Sequence, residues 1–155
     1  MRLLFFTAAL ASLTPCAATP ADEAVPSLAG DTFLFSYFVG NGEDGLHLAA
    51  SRDGLEWRAL NDGASYLRPT LGDKLMRDPC ITRGPDGTFH LVWTTGWFDK
   101  GVGIAHSKNL VNWSEQAWLP VMEHEPESQN AWAPEITHDP ASGRFISPDP
   151  VGFSE

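Results

Sequence analysis

The chain has 155 residues, of which 43% are hydrophobic, 11% aromatic and 19% charged, with 14 Gly and 12 Pro. That leaves room for one ordinary domain, excludes a disordered protein on its apolar and aromatic content, and excludes a helical bundle on its turn residues. Twenty acidic against ten basic residues give a formal charge of −10, which disfavours a general nucleic-acid binder and leaves neutral ligands such as carbohydrate open.

Residues 1–21 read as a secretory signal. Arg2 supplies the positive start, the apolar run 3–13 is too short to span a bilayer, and small residues follow at Ala17, Ala18 and Ala21. A lipoprotein reading would use Cys16, which Pro15 in front of it disfavours. Cleavage removes Cys16, so Cys80 stands alone and no internal disulfide forms. No later run reaches membrane length, and the histidines lack metal-ligand spacing. The mature chain is therefore expected to be exported, with no membrane span, cofactor or metal.

Residues 32–39 read as the first strand, and the Gly40-Asn41-Gly42-Glu43-Asp44-Gly45 loop leads out of it. Residues 45–57 then match residues 101–113 in the pattern G-Φ-x-Φ-A-x-S-basic-(D/N)-x-Φ-x-W, about 56 residues apart. Alternating Leu46 and Leu48, and Val102 and Ile104, have the two-residue period of a half-buried strand. Ser-Arg-Asp-Gly and Ser-Lys-Asn are turn chemistry, and Trp57 and Trp113 are expected to begin the next strands. A second unit recurs as well. Arg77-Asp78-Pro79 leads through Pro85-Asp86-Gly87 to the strand 88–93, and Trp132-Ala133-Pro134-Glu135 leads through Asp139 and Gly143 to 144–146. Aligning Pro79 with Pro134 superposes Ile81 on Ile136 and Thr82 on Thr137, so each motif reads as a short strand that starts at proline.

Four strands per repeat without helical period predict an all-β fold of β-propeller blades. A sandwich would share the short strands but not the fixed order of motifs. Asp78 and Glu135 differ by two positions on equivalent strands, and a period of two keeps them on one face. First strands of blades converge on a central channel, so both carboxylates are expected at one pocket. Paired carboxylates are what glycoside hydrolysis requires, one protonating the leaving oxygen and one activating water or attacking. The competing structural reading of Asp78 is a turn cap before proline. Arg77 is placed to pair with Asp78 or to bind a sugar hydroxyl. Trp132 and Pro134 are expected to give Glu135 an apolar setting that raises its pKa. Glu43, Asp44 and Trp97, on loops opening at the same mouth, are candidates for sugar contact, with Trp132 as a second aromatic platform. Solvated Gly turns are the plain alternative for those loops, and two carboxylates make a weak Ca²⁺ site. Trp57, Trp93, Trp113 and Trp118 are assigned to blade packing, and His90 to a strand ladder.

The Arg-Asp-Pro and Gly-Pro-Asp-Gly-Thr-Phe-His-Leu-Val-Trp runs, the Ala-x-Ser-Lys-Asn-Leu-Val-Asn-Trp segment and Trp-Ala-Pro-Glu-Ile together resemble glycoside hydrolase family 43 over about residues 30–146. The resemblance implies a five-bladed propeller acting on arabinan- or xylan-type glycosides by inversion, with an Asp base, an Asp that tunes the acid, and a Glu acid. On that pattern Asp78 is the base or the tuning residue, and Glu135 the acid or, by its Trp-Ala-Pro context, the tuning residue. Asp31 is the one acid directly ahead of the first strand, and it lacks the following proline. Arg-Asp-Pro also resembles a motif of the invertase-like hydrolases, whose Asn-Asp-Pro-Asn segment is missing here. A non-catalytic carbohydrate-binding propeller is the alternative of another class. Two and a half blades of an expected five fit in residues 22–146, and Pro148 and Pro150 break the strand in an irregular tail at 147–155. The chain is thus expected to be an N-terminal fragment, inactive alone.

Overall fold

The computed structural model describes residues 32–147. The secretory segment at 1–21, Cys16, Asp31 and the prolines at 148 and 150 lie outside the described residues. Among the described residues, nine strands form three antiparallel sheets. The first sheet runs β1 (Phe33–Tyr37), β2 (His47–Ser51), β3 (Arg58–Ala59). The second runs β4 (Arg77–Arg83), β5 (Phe89–Thr94), β6 (Val102–Ser107), β7 (Ala117–Leu119). β8 (Thr137–Asp139) and β9 (Arg144–Ile146) make a two-stranded third. Among the described residues there is no α-helix, and none long and apolar enough to cross a membrane.

Neighbouring strands in each sheet run antiparallel in chain order, and the first sheet packs one face on the second. Leu46, Leu48, Ala50 and Leu60 of the first sheet region pack with Met76, Leu91, Trp93, Ala105 and Leu110 of the second. On the opposite face of the second sheet, Val102 packs with Met122 and Ala131. Leu46 and Val102 hold equivalent repeat positions, so the apolar stripe after each repeat glycine faces the following blade. Gly103 is required by this packing, because a Cβ there would lie 2.1 Å from the Trp93 ring. These sheets, meandering and stacked face to face, are successive blades of a β-propeller.

The repeated Ser-basic-(Asp/Asn) turn has one physical cause in both blades. Ser51 Oγ accepts from the Asp53 and Gly54 amides, and Asp53 Oδ1 accepts from the Leu55 and Glu56 amides. Ser107 Oγ accepts from the Asn109 and Leu110 amides, and Asn109 Oδ1 from those of Val111 and Asn112. The indoles of Trp57 and Trp113 close each turn by donating to the carbonyls of Gly54 and Leu110. Both carbonyl-bearing residues are left-handed, Gly54 at φ +73° and Leu110 at φ +65°. Leucine tolerates that conformation in the second blade because its side chain is in the core.

Three expectations need correction. Trp57 does stand one residue ahead of β3, but Trp113 only bridges to Ser107, and β7 begins four residues later. The turn's side-chain bonds keep residues 108–112 out of the ladder. The strand expected from Pro134 begins only at Thr137, because β8 finds its partner β9 no earlier. Glu135 therefore lies on the segment leading into β8. Of the tryptophans assigned to packing, Trp93 is fully buried, while Trp57 and Trp118 are 43% and 37% exposed. Trp57 leans on Phe35 at 5.5 Å, and Trp118 covers Gly101 and donates to Asp99.

Candidate active site

Asp78 enters the site through a β-bulge. Arg77 pairs with Thr94 and Cys80 with Val92, so Asp78 and Pro79 together oppose the single residue Trp93. The extra residue adopts φ +49°, unusual for a non-glycine residue and more so before proline. Ala133, which aligns with Asp78 when the prolines are superposed, adopts φ +48°. A bulge of this kind re-aims a side chain. Simple strand alternation is therefore not what relates Asp78 to Glu135.

The two carboxylates nevertheless share a cavity. Asp78 and Glu135 both line a cavity of about 490 Å³, walled by Leu34, Phe35 and Ser36 of β1, by Pro79, Cys80 and Ile81 of β4, and by residues 133–137. All three sheets contribute, which places the cavity where the blades converge. Ser36 Oγ donates to the Pro79 carbonyl at 2.6 Å and ties the first sheet to the second across its wall. Asp78 is half-buried and Glu135 exposed, so the apolar enclosure expected around Glu135 is absent among the described residues. Thr94, 1% exposed, accepts from the Ala133 amide at 2.9 Å and donates to Asp78 Oδ2 at 3.4 Å.

Arg77 does not pair with Asp78. Its Nη1 donates to Asn41 Oδ1 at 2.5 Å, and its guanidinium lies 4.3 Å from the Trp97 ring centroid and 5.3 Å from that of Phe38. The bulge turns Asp78 toward Thr94, leaving Arg77 to the aromatic faces of the mouth. Trp97 and Trp132 lie edge to face at 5.6 Å, and the Trp132 indole donates to the Trp97 carbonyl. Both rings stay about two-fifths exposed. Neither lines the cavity; Trp132 precedes Ala133, which does, and Trp97 reaches its edge through Arg77.

Glu43 and Asp44 are engaged within their own loop. Glu43 Oε2 accepts from the Asn41 amide, and Asp44 Oδ2 meets buried His47 Nε2 at 2.8 Å. The loop still docks beside the mouth, with the Met76 amide donating to the Gly42 carbonyl. Among the described residues no group of three or more His, Cys, Asp or Glu side chains is placed to hold a metal. Sequence reasoning overlooked Asn41, Ser36 and Thr94. Asn41 carried a signal, lying in a glycine loop already marked as part of the mouth. A single hydroxyl at a strand end carries none.

Residues 30–147 match a glycosyl hydrolase 43-related family, described as "Probable glycosyl hydrolase domain", and the chain belongs to that family. Its structure is similar to that of the Bacteroides ovatus xyloglucan PUL GH43B protein, with 25% identity and a TM-score of 0.50, over 77% of this chain and 24% of that one. It also resembles a xylan β-1,4-xylosidase from Bacillus halodurans C-125, at 20% identity and TM-score 0.51, over 75% and 23% of the two chains. A Cellvibrio cellulosa α-L-arabinanase complexed with arabinohexaose matches at 21% identity and TM-score 0.52, over 72% and 42%. The chain thus spans a quarter to two-fifths of the length of these solved relatives. No curated protein matches the sequence.

Proposed function

We propose that this chain is the part of a glycoside hydrolase that supplies two of its carboxylates, Asp78 and Glu135, for cleavage of O-glycosidic bonds in arabinan- or xylan-type saccharides. The observation that carries the reading is that both carboxylates line one cavity at the meeting of three blades. Membership of a glycosyl hydrolase family supports it. In this reading one carboxyl group protonates the leaving oxygen and the other acts on water. Asp78 is half-buried and accepts from Thr94, and Glu135 is exposed to solvent at the same cavity. Arg77, Trp97 and Trp132 form a sugar platform beside the cavity. The secretory reading of residues 1–21 supports action outside the cytoplasm, where such polysaccharides are met.

A carbohydrate-binding propeller without turnover is the second reading, favoured by the separation of the aromatic platform from the carboxylate cavity. Hydrolysis is best measured on a longer homologue with the same Arg-Asp-Pro and Trp-Ala-Pro-Glu motifs, using nitrophenyl glycosides and arabino- and xylo-oligosaccharides. Sugar binding is measured on the 155-residue chain by calorimetry. The changes equivalent to Asp78→Asn and Glu135→Gln are expected to lower kcat by about 10²–10⁴ while binding persists. Binding by both proteins with no turnover of any substrate selects the second reading.

A further inference from the structure

Thr94 closes β5 at the mouth end, directly beneath the bulge. Its hydroxyl oxygen accepts the Ala133 amide hydrogen at 2.9 Å. A hydroxyl has one hydrogen, and with the amide filling an acceptor position that hydrogen is free to go to Asp78 Oδ2, 3.4 Å away. The direction is therefore defined, from Ala133 N–H through Thr94 O–H to the Asp78 carboxylate. Thr94 itself is buried, 1% exposed, between these two partners.

The two ends of this relay are equivalent residues of successive blades. Each precedes a proline, and each holds the left-handed conformation, at φ +49° and +48°. Non-glycine residues persist in that region only where the surroundings hold them. Ala133 stands two residues ahead of Glu135, so the relay joins the turn carrying one candidate carboxylate to the turn carrying the other.

We infer that Thr94 is a positioning residue whose hydroxyl couples the Asp78 turn to the Ala133–Glu135 turn and sets the relative placement of the two carboxylates. The coupling stands on geometry alone; its importance for turnover rests on the hydrolase reading above. Valine keeps the shape of threonine and deletes the hydroxyl, and serine restores it.

Two-dimensional amide NMR on the 155-residue chain tests the coupling without any substrate. Thr94→Val is expected to speed hydrogen exchange at the Ala133 amide at least about tenfold, a gain equivalent to about 1.4 kcal/mol of lost protection, with Val92 unchanged. Thr94→Ser is expected to keep the wild-type rate. Asp78→Asn is expected to shift the Ala133 amide resonance, and Thr94→Val to abolish that response. An Ala133 amide indifferent to both substitutions overturns the inference. So does equal loss of protection in the Val and Ser variants, which marks the side chain as packing only. Should Thr94→Val fail to fold, the response of Ala133 to Asp78→Asn in the wild-type and Thr94→Ser backgrounds decides alone. In the longer homologue, the equivalent Val change is expected to cut kcat about tenfold with KM within about twofold, and Ser to rescue it. An intact relay with no hydrolysis by the wild type sinks the hydrolase reading and leaves the coupling standing.

Discussion

Arg77 carries a delocalised cation that the described residues meet with aromatic faces and one amide oxygen, not with a carboxylate. Guanidinium on indole is worth about 0.5–2 kcal/mol, depending on its desolvation. Trp97→Ala is therefore expected to cost about 1–2 kcal/mol in urea denaturation, since it also removes the edge contact with Trp132. The same change is expected to weaken binding of arabino- or xylo-oligosaccharides about tenfold by calorimetry, and unchanged affinity would remove Trp97 from the sugar platform.

His90 is a second residue whose setting decides its chemistry. Burial against Phe145, whose ring is 4.1 Å away, holds its pKa below the ordinary 6.5, and the neighbouring His106 adds to that. Asp86 opposes the shift, while Lys108 and His138 reinforce it. With the folded pKa depressed, the unfolded chain binds the proton more readily. Stability from this group is complete above pH 6.5 and is lost as pH falls through the folded value. The melting temperature is expected to drop between pH 7.5 and 5.5, and His90→Gln to flatten the drop. An equally steep profile in that variant would assign the dependence elsewhere.

At the scale of the element, the repeated turn shows what the thirteen-residue pattern encodes. A serine oxygen and an Asp or Asn oxygen take up four amides that the turn would otherwise leave without partners, and tryptophan closes it. Asn109→Ala leaves the Val111 and Asn112 amides without acceptors and is expected to cost about 1–2 kcal/mol. Asn109→Asp, which copies the first blade, is expected to stay within about 0.5 kcal/mol of wild type. Urea midpoints of the two variants check this, and equal losses would show that the carboxamide NH₂ matters as well. The turn was readable from sequence because all its partners lie within six residues. The bulge at Asp78 was not, because it exists only as a register shift against β5, and register belongs to two strands together.

Across the whole molecule, the blades are held by apolar faces, and one such face has no cover among the described residues. Phe33, Phe35 and Trp57 expose about half of their surface on the first sheet, with Phe35, Tyr37, Ala49, Trp57 and Ala59 lining a shallow apolar cavity. Exposed aromatic patches of this kind drive association. The 155-residue chain is expected to self-associate in sedimentation velocity as its concentration rises, and Phe35→Glu to suppress this. A wild-type chain that sediments as a monomer at every concentration would contradict that expectation.

The chain order alone determined the all-β class, the blade repeat, the turn chemistry and which two acids merit attention, because each of these depends on residues close in sequence and on the two-residue period of a strand. Only the tertiary structure decided that Asp78 is turned to Thr94 and away from Arg77, and that Glu135 precedes its strand and stands exposed. Those outcomes depend on a bulge, on two left-handed residues before proline, and on hydrogen bonds that Thr94 gives to Asp78 and takes from Ala133, 16 and 39 residues along the chain. Interactions across such separations come from the packing of one blade on the next, and no local pattern records them.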